Sequence, residues 1–375
     1  MLFRLVFCAI VLFYSVVQAQ SVTPSTAMAL EEQGKLAEAS AAWQQITKQH
    51  PTDAAAFASL GLVLAKQGRF TEAVPAYKKA VALNPKLPGL QLNLGLAEFK
   101  QGHFREAVSP FTAALTENPH SLQARVLLGM SFYGSEQYAK ASEFLADAVK
   151  ADPENLQLRQ TLAQSCLFAK KYSCALDEFQ QILQKDPDSA AVHILYGEAL
   201  DGLDRTPEAI AEFQAAAKAA PQEPNVHFGL GYLYWKLLKF DQAKQEFERE
   251  LALYPDQPQA LAYLGDVEWK NGNQERAQEL LEKAVHLRNI RIAWLDLGAI
   301  FQQEHRYPDA VTALKRAIEL DPSQPEAYFL LGRVYQAMGD KEEAQKQFAK
   351  TRTLQKGQLD KLATQMPRPA MSPLQ

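Results

Sequence analysis

The chain carries seven histidines and three cysteines, the side chains that most often ligate metals or supply nucleophiles and bases. His50, His103, His120, His193, His227, His286 and His305 are scattered, no two within five residues of each other, and none belongs to an HExxH pair. No G-x-x-x-x-G-K-[ST] phosphate loop and no G-x-S-x-G nucleophile turn occurs. The glycines of LGLVLAKQG and FGLGYLYW read as glycines of the chain's period. With no nucleophile, base and oxyanion donor brought together, the expectation is a non-enzyme with no cofactor and no metal. Cys166 and Cys174 lie in adjacent predicted antiparallel helices joined by a short turn, which brings them near enough to form a disulfide; two buried free thiols are the alternative.

The densest aromatic stretch is HFGLGYLYWKLLKF, His227 to Phe240. Wound as a helix it shows two apolar stripes, one through Leu230, Gly231 and Tyr234 and one through Phe228, Tyr232 and Trp235. A single helical hairpin buries only one stripe, so further elements must stand on either side.

Those elements repeat. Leu60-Gly61 recurs as Leu94-Gly95, Leu128-Gly129, Leu162-Ala163, Tyr196-Gly197, Leu230-Gly231 and Leu264-Gly265 in steps of 34 residues, then, one residue short, as Leu297-Gly298 and Leu331-Gly332. Twelve residues after each small residue stands an alanine, Ala73 through Ala344, and four further on a bulky residue such as Tyr77, Phe111 or Phe247. Glycine costs about 1 kcal/mol inside a helix, so its recurrence implies a close approach there. Prolines from Pro85 to Pro322 close most units, and Pro75 and Pro110 read as lying in the first turn or so of second helices, where a missing N–H costs little.

This pattern resembles the tetratricopeptide repeat over nearly all of the chain. The resemblance implies an all-α fold: helix-turn-helix units stacked in a right-handed superhelical solenoid, with first helices inside and second helices outside. The expected organisation is a signal peptide (1–19), a degenerate first repeat lacking most of its first helix (20–53), seven units (54–290), two units after the short junction (291–358), and the end of a capping helix with a disordered tail (359–375). The junction predicts an altered stacking angle. Gly68, Gly102, Gly272 and Gly339 fit left-handed caps of first helices; Glu136, Lys170, Asp204, Leu238 and His305 in the same slot predict looser turns.

On the inner side the expected partner-binding residues are Phe99, Tyr133, Phe228, Tyr232, Trp235, Tyr263 and Trp269, with the amides Asn93, Gln160 and Gln164. They suit an extended peptide whose side chains enter pockets while its backbone meets amides. The competing reading is that the aromatics pack on neighbouring repeats. The slots that clamp a terminal carboxylate in chaperone-binding relatives hold Ala58, Leu62, Asn93, Gln123 and Leu127, which does not support that activity.

A formal net charge of −4 and a pI near 6.0 give no basic field for nucleic acid. The start, MLFRLVFCAIVLFYSVVQAQ, has an apolar run from Leu5 to Val17 and small residues at Val17 and Ala19. It reads as a cleaved export signal rather than a span, leaving membrane contact to an uncleaved signal or a partner. The expectation is an exported scaffold for a protein or peptide, periplasmic, envelope-associated or secreted, with a carbohydrate-handling module of polysaccharide export as the first alternative and a cryptic enzyme as the last.

Overall fold

The computed structural model describes residues 22–365; the expected signal segment and the tail from Met366 lie outside them. The described residues form twenty helices and no strand, and the chain divides into two compact units at Ala169 and Lys170. The first unit holds α1 (Pro24–Glu32), α2 (Leu36–Gln49), α3 (Ala54–Lys66), α4 (Phe70–Leu83), α5 (Leu90–Lys100), α6 (Phe104–Glu117), α7 (Leu122–Gly134), α8 (Tyr138–Ala151) and α9 (Leu156–Phe168). The second holds α10 (Tyr172–Leu183), α11 (Ala190–Asp201), α12 (Thr206–Ala219), α13 (Val226–Lys236), α14 (Phe240–Leu253), α15 (Pro258–Lys270), α16 (Gln274–Leu287), α17 (Arg291–Gln303), α18 (Tyr307–Leu320), α19 (Pro325–Met338) and α20 (Lys341–Gln365).

Within each unit the helices pair as antiparallel hairpins, α3 with α4 and α13 with α14 for example, and each second helix also packs on the first helix that follows. Successive first helices touch directly, α3 on α5 and α13 on α15, so they form an inner layer. α1 keeps 9 residues where most of that helix was expected to be missing; Ala27 is buried and Trp43 of α2 donates its indole N–H to Glu31 at 2.8 Å.

The period acts through packing inside each hairpin. A Cβ on Gly231 would stand 2.6 Å from the Phe247 ring, and one on Gly95 2.6 Å from the Phe111 ring. The glycine therefore makes room for the bulky residue sixteen positions on. Phe111 and Phe247 are fully buried, the most costly kind of side chain to remove. Pro75 and Pro110 fall six and seven residues into α4 (Phe70–Leu83) and α6 (Phe104–Glu117). They sit in the second turn rather than the first, and each leaves one helical carbonyl without its usual N–H.

The turns closing the first helices depart from expectation in an informative way. Glu136, Lys170, Asp204, Leu238 and His305 adopt φ values of 57–63°, the left-handed conformation that Gly68 and Gly272 adopt at 74° and 82°. The turns are not looser. The tight hairpin demands one geometry, and non-glycine residues take it at a cost of about 1 kcal/mol each.

The short junction is absorbed between α16 and α17. Residues 288–290 connect them, whereas 254–257 connect α14 and α15. α15 and α17 accordingly pack on each other more extensively than any other successive first helices.

Candidate functional site

The inner layer of the second unit is organised around α13. Its start is held by Glu250 of α14, fully buried, which accepts from the backbone N–H of Asn225 at 3.0 Å and of Phe228 at 3.1 Å. A carboxylate there satisfies otherwise orphaned N–H groups and complements the helix dipole. Near its end, Lys236 pairs with Asp201 of α11 at 2.7 Å. So fixed, α13 presents Phe228, Tyr232 and Trp235 half-buried, while Leu230 and Tyr234 go into the core.

Those three rings form one cluster with Tyr263 of α15. Tyr232 lies 6.0 Å from Trp235 and 5.5 Å from Tyr263, Trp235 5.0 Å from Tyr263, and Phe228 5.9 Å from Tyr263. These offset and edge-on arrangements are the ones aromatic quadrupoles favour. Phe228 and Tyr263 also reach the core ring Phe247, at 6.0 Å each. The cluster is thus rooted in the core and half open to solvent. Burial raises the Tyr263 phenol to about 12 and pushes Tyr232 upward as well, so both hydroxyls are neutral donors at physiological pH.

The indole of Trp235 is pinned. Its Nε1–H donates to Asp266 of α15 at 2.5 Å, and Lys270 pairs with the other oxygen of that carboxylate while its ammonium lies 5.7 Å from the Trp235 ring. Beside Asp266 stands Asp296 of α17. Burial, and then the charge of Asp266, push the Asp296 carboxyl well above the usual aspartate range.

The other expected site residues are placed differently. Phe99 packs edge-on against Phe104 at 5.2 Å and near Phe111 at 6.4 Å, inside its own hairpin. Tyr133 packs on Tyr138 at 5.6 Å, and its hydroxyl donates to Gln164 at 2.9 Å, so that amide oxygen is engaged within the protein. Gln160 is half-buried on α9. Asn93 lines a shallow hollow with Ser59, Leu62 and Leu87. Trp269 stands apart from the ring cluster, beside a hollow lined by Gln302, Gln303, Tyr307 and Arg333. Cys166, buried on α9, and Cys174, on α10, are both disulfide-bonded.

Two features escaped the sequence. Gly229 is not a glycine of the period: it sits two positions before Gly231, where neighbouring units carry Leu195 and Tyr263, and it opens a hollow shared with Glu198 and Asp201. Glu246, three residues before Arg249 and paired with it, is buried and also takes His227 Nδ1 at 2.7 Å. His193 repeats this arrangement with Glu212 at 2.6 Å, and the remaining nitrogen of each ring meets a proline carbonyl, Pro187 or Pro221. Each histidine is therefore tied inside its own repeat rather than to the other. Among the described residues no group of three or more His, Cys, Asp or Glu side chains is arranged to hold a metal, and no helix is long and apolar enough to cross a membrane.

Comparison with known proteins agrees with this architecture. The tetratricopeptide repeat profile matches residues 26–88, 92–155 and 228–290, a second tetratricopeptide profile 167–231, and further profiles of the same repeat 293–339 and 326–354. A search of curated proteins finds no match. Among solved structures the chain is similar to the APC/C hetero-tetramer Cut9-Hcn1, with a TM-score of 0.53 at 16% identity over 88% of this chain and 79% of that one. It also matches yeast Tom70, with a TM-score of 0.44 at 13% identity over 91% and 93% of the two chains.

Proposed function

The chain belongs to the tetratricopeptide repeat family, and on that premise we propose that it is a non-enzymatic scaffold that binds an extended peptide or protein segment along the inner layer of its second unit. One observation carries this reading: Phe228, Tyr232, Trp235 and Tyr263 form a half-exposed cluster rooted on the buried Phe247 and pinned by the Trp235–Asp266 hydrogen bond. Rigid aromatic anchors lose little conformational entropy on binding, and such residues dominate interface energetics. The apolar run from Leu5 to Val17 followed by Ala19 supports export, and an exported scaffold of this kind suits envelope assembly or secretion.

The test is selection of random peptides displayed on phage against the purified chain, followed by titration of the recovered peptides. Trp235→Ala, with an unchanged circular dichroism spectrum, weakens those peptides by at least about tenfold if the cluster is the anchor. Equal affinity for the native chain and the variant refutes the reading. A glycan-binding role would instead show as perturbation of tryptophan emission by oligosaccharides that peptides do not compete away.

A further inference from the structure

The hollow beside Gly229 has a volume of about 380 Å³ and apolar walls from Ile194, Phe213, Phe228 and Leu233. It exists because of a missing side chain: a Cβ at Gly229 would come within 2.1 Å of the Phe213 ring. In the adjacent units this slot carries Leu195 and Tyr263, whose side chains would fill the space that Gly229 leaves open.

Its polar lining is unbalanced. Asp201 accepts from Lys236 at 2.7 Å and from the Thr206 hydroxyl at 3.1 Å, so its charge is matched. Glu198 also lines the hollow, and among the described residues no lysine, arginine or histidine pairs with it. Two carboxylates and one ammonium leave one negative charge unmatched. Although Glu198 is exposed, the crowding protein strips water from its carboxyl and raises it above the usual range.

We propose that this hollow receives one basic side chain, lysine or arginine, of the bound segment. The claim rests on the reading of the inner layer as a peptide site and names the chemistry of its ligand. A lysine or arginine stem lies along apolar walls while its cationic head seeks a carboxylate, and the rings of Phe228 and Tyr232 that line the hollow offer the same head a favourable quadrupole. A neutral apolar side chain would fill the walls and leave Glu198 further desolvated. An acidic one would meet a like charge.

The experiment uses the same displayed library on the full chain and on Glu198→Gln, an exposed and isosteric change that leaves the fold intact. Peptides recovered on the native chain carry lysine or arginine at one position next to apolar residues. Replacing that residue with norleucine weakens binding to the native chain by about tenfold, as expected for a partly desolvated ion pair, and changes binding to Glu198→Gln by much less. Trp235→Ala weakens basic and norleucine peptides alike. Recovered peptides without a basic position, or a norleucine penalty equal on both proteins, overturn the inference while the peptide site stands. Recovery of peptides indifferent to Trp235→Ala overturns both.

Discussion

The inner layers of the two units use the same repeat slots to different ends. In the first unit the ring at each aromatic slot turns inward on its own hairpin, Phe99 on Phe104 and Tyr133 on Tyr138. In the second, Trp235 occupies the same slot but joins Tyr232 and, across the repeat boundary, Tyr263. Phe240 stands in the slot that Phe104 and Tyr138 fill in the first unit, and Lys270 lies within 6 Å of both Trp235 and Phe240 (5.7 and 5.8 Å). The period therefore fixes where a ring starts, and its neighbours decide whether it becomes core or a surface anchor.

The strongest way to break that comparison is to show that the units also differ in packing. They should not: Phe111→Ala and Phe247→Ala each cost about 3–5 kcal/mol, read from denaturant midpoints, since both rings are fully buried beside a repeat glycine. A much smaller loss at either position would mean that the glycine and ring pairs are not equivalent.

Binding should separate the units. Trp235→Ala costs at least about tenfold in peptide affinity, whereas Phe99→Ala leaves affinity unchanged and lowers only stability. Comparable affinity losses would return both rings to one class.

A third difference is titratable. Asp296 is pushed upward in the folded state, first by burial and then by Asp266. Its protonated form is favoured by folding, so its contribution is complete below the unfolded aspartate range and is lost as pH rises through the folded value. Glu98 of the first unit behaves oppositely. Burial disfavours its charge, but hydrogen bonds from Lys78 and His103 outweigh that and lower it; its contribution holds above the unfolded glutamate range and fades as pH falls. Asp296→Asn should therefore flatten the decline in stability above pH 4, and Glu98→Gln the decline on acidification, in urea melts across pH. An unchanged slope in either variant would contradict the assignment.

Smallest is the turn effect. Leu238→Gly stabilises by about 1 kcal/mol by relieving a left-handed leucine at φ 57°, and Gly68→Ala in the first unit loses a similar amount. A destabilising Leu238→Gly would show that this exposed leucine makes contacts that outweigh its strain.

The fold was legible because one geometric demand, room for a bulky side chain against a helix, recurs about every 34 residues and forces a small residue each time. The left-handed turns were legible only where glycine marked them. At Glu136 and Leu238 the hairpin imposes the conformation on residues whose own preferences do not announce it. The aromatic slots were readable one by one, but the grouping of Trp235 with Tyr263, and its pinning by Asp266, depends on stacking between repeats. The placing of Asp266 beside Asp296 depends on how α15 meets α17 across a loop one residue short, a change whose effect on helix approach has no local signature. Gly229 did carry a signal, a glycine off the period, masked by the true repeat glycine two positions on.

The most direct test maps where a selected peptide lies. A photoactivatable side chain is placed in the peptide, cross-linked to the full chain, and the attachment sites are located by mass spectrometry. The account predicts attachment to α11, α13 and α15, concentrated at and around Glu198, Tyr232, Trp235 and Tyr263. Attachment to α5 and α7, or to the outer helices α14 and α16, would contradict it.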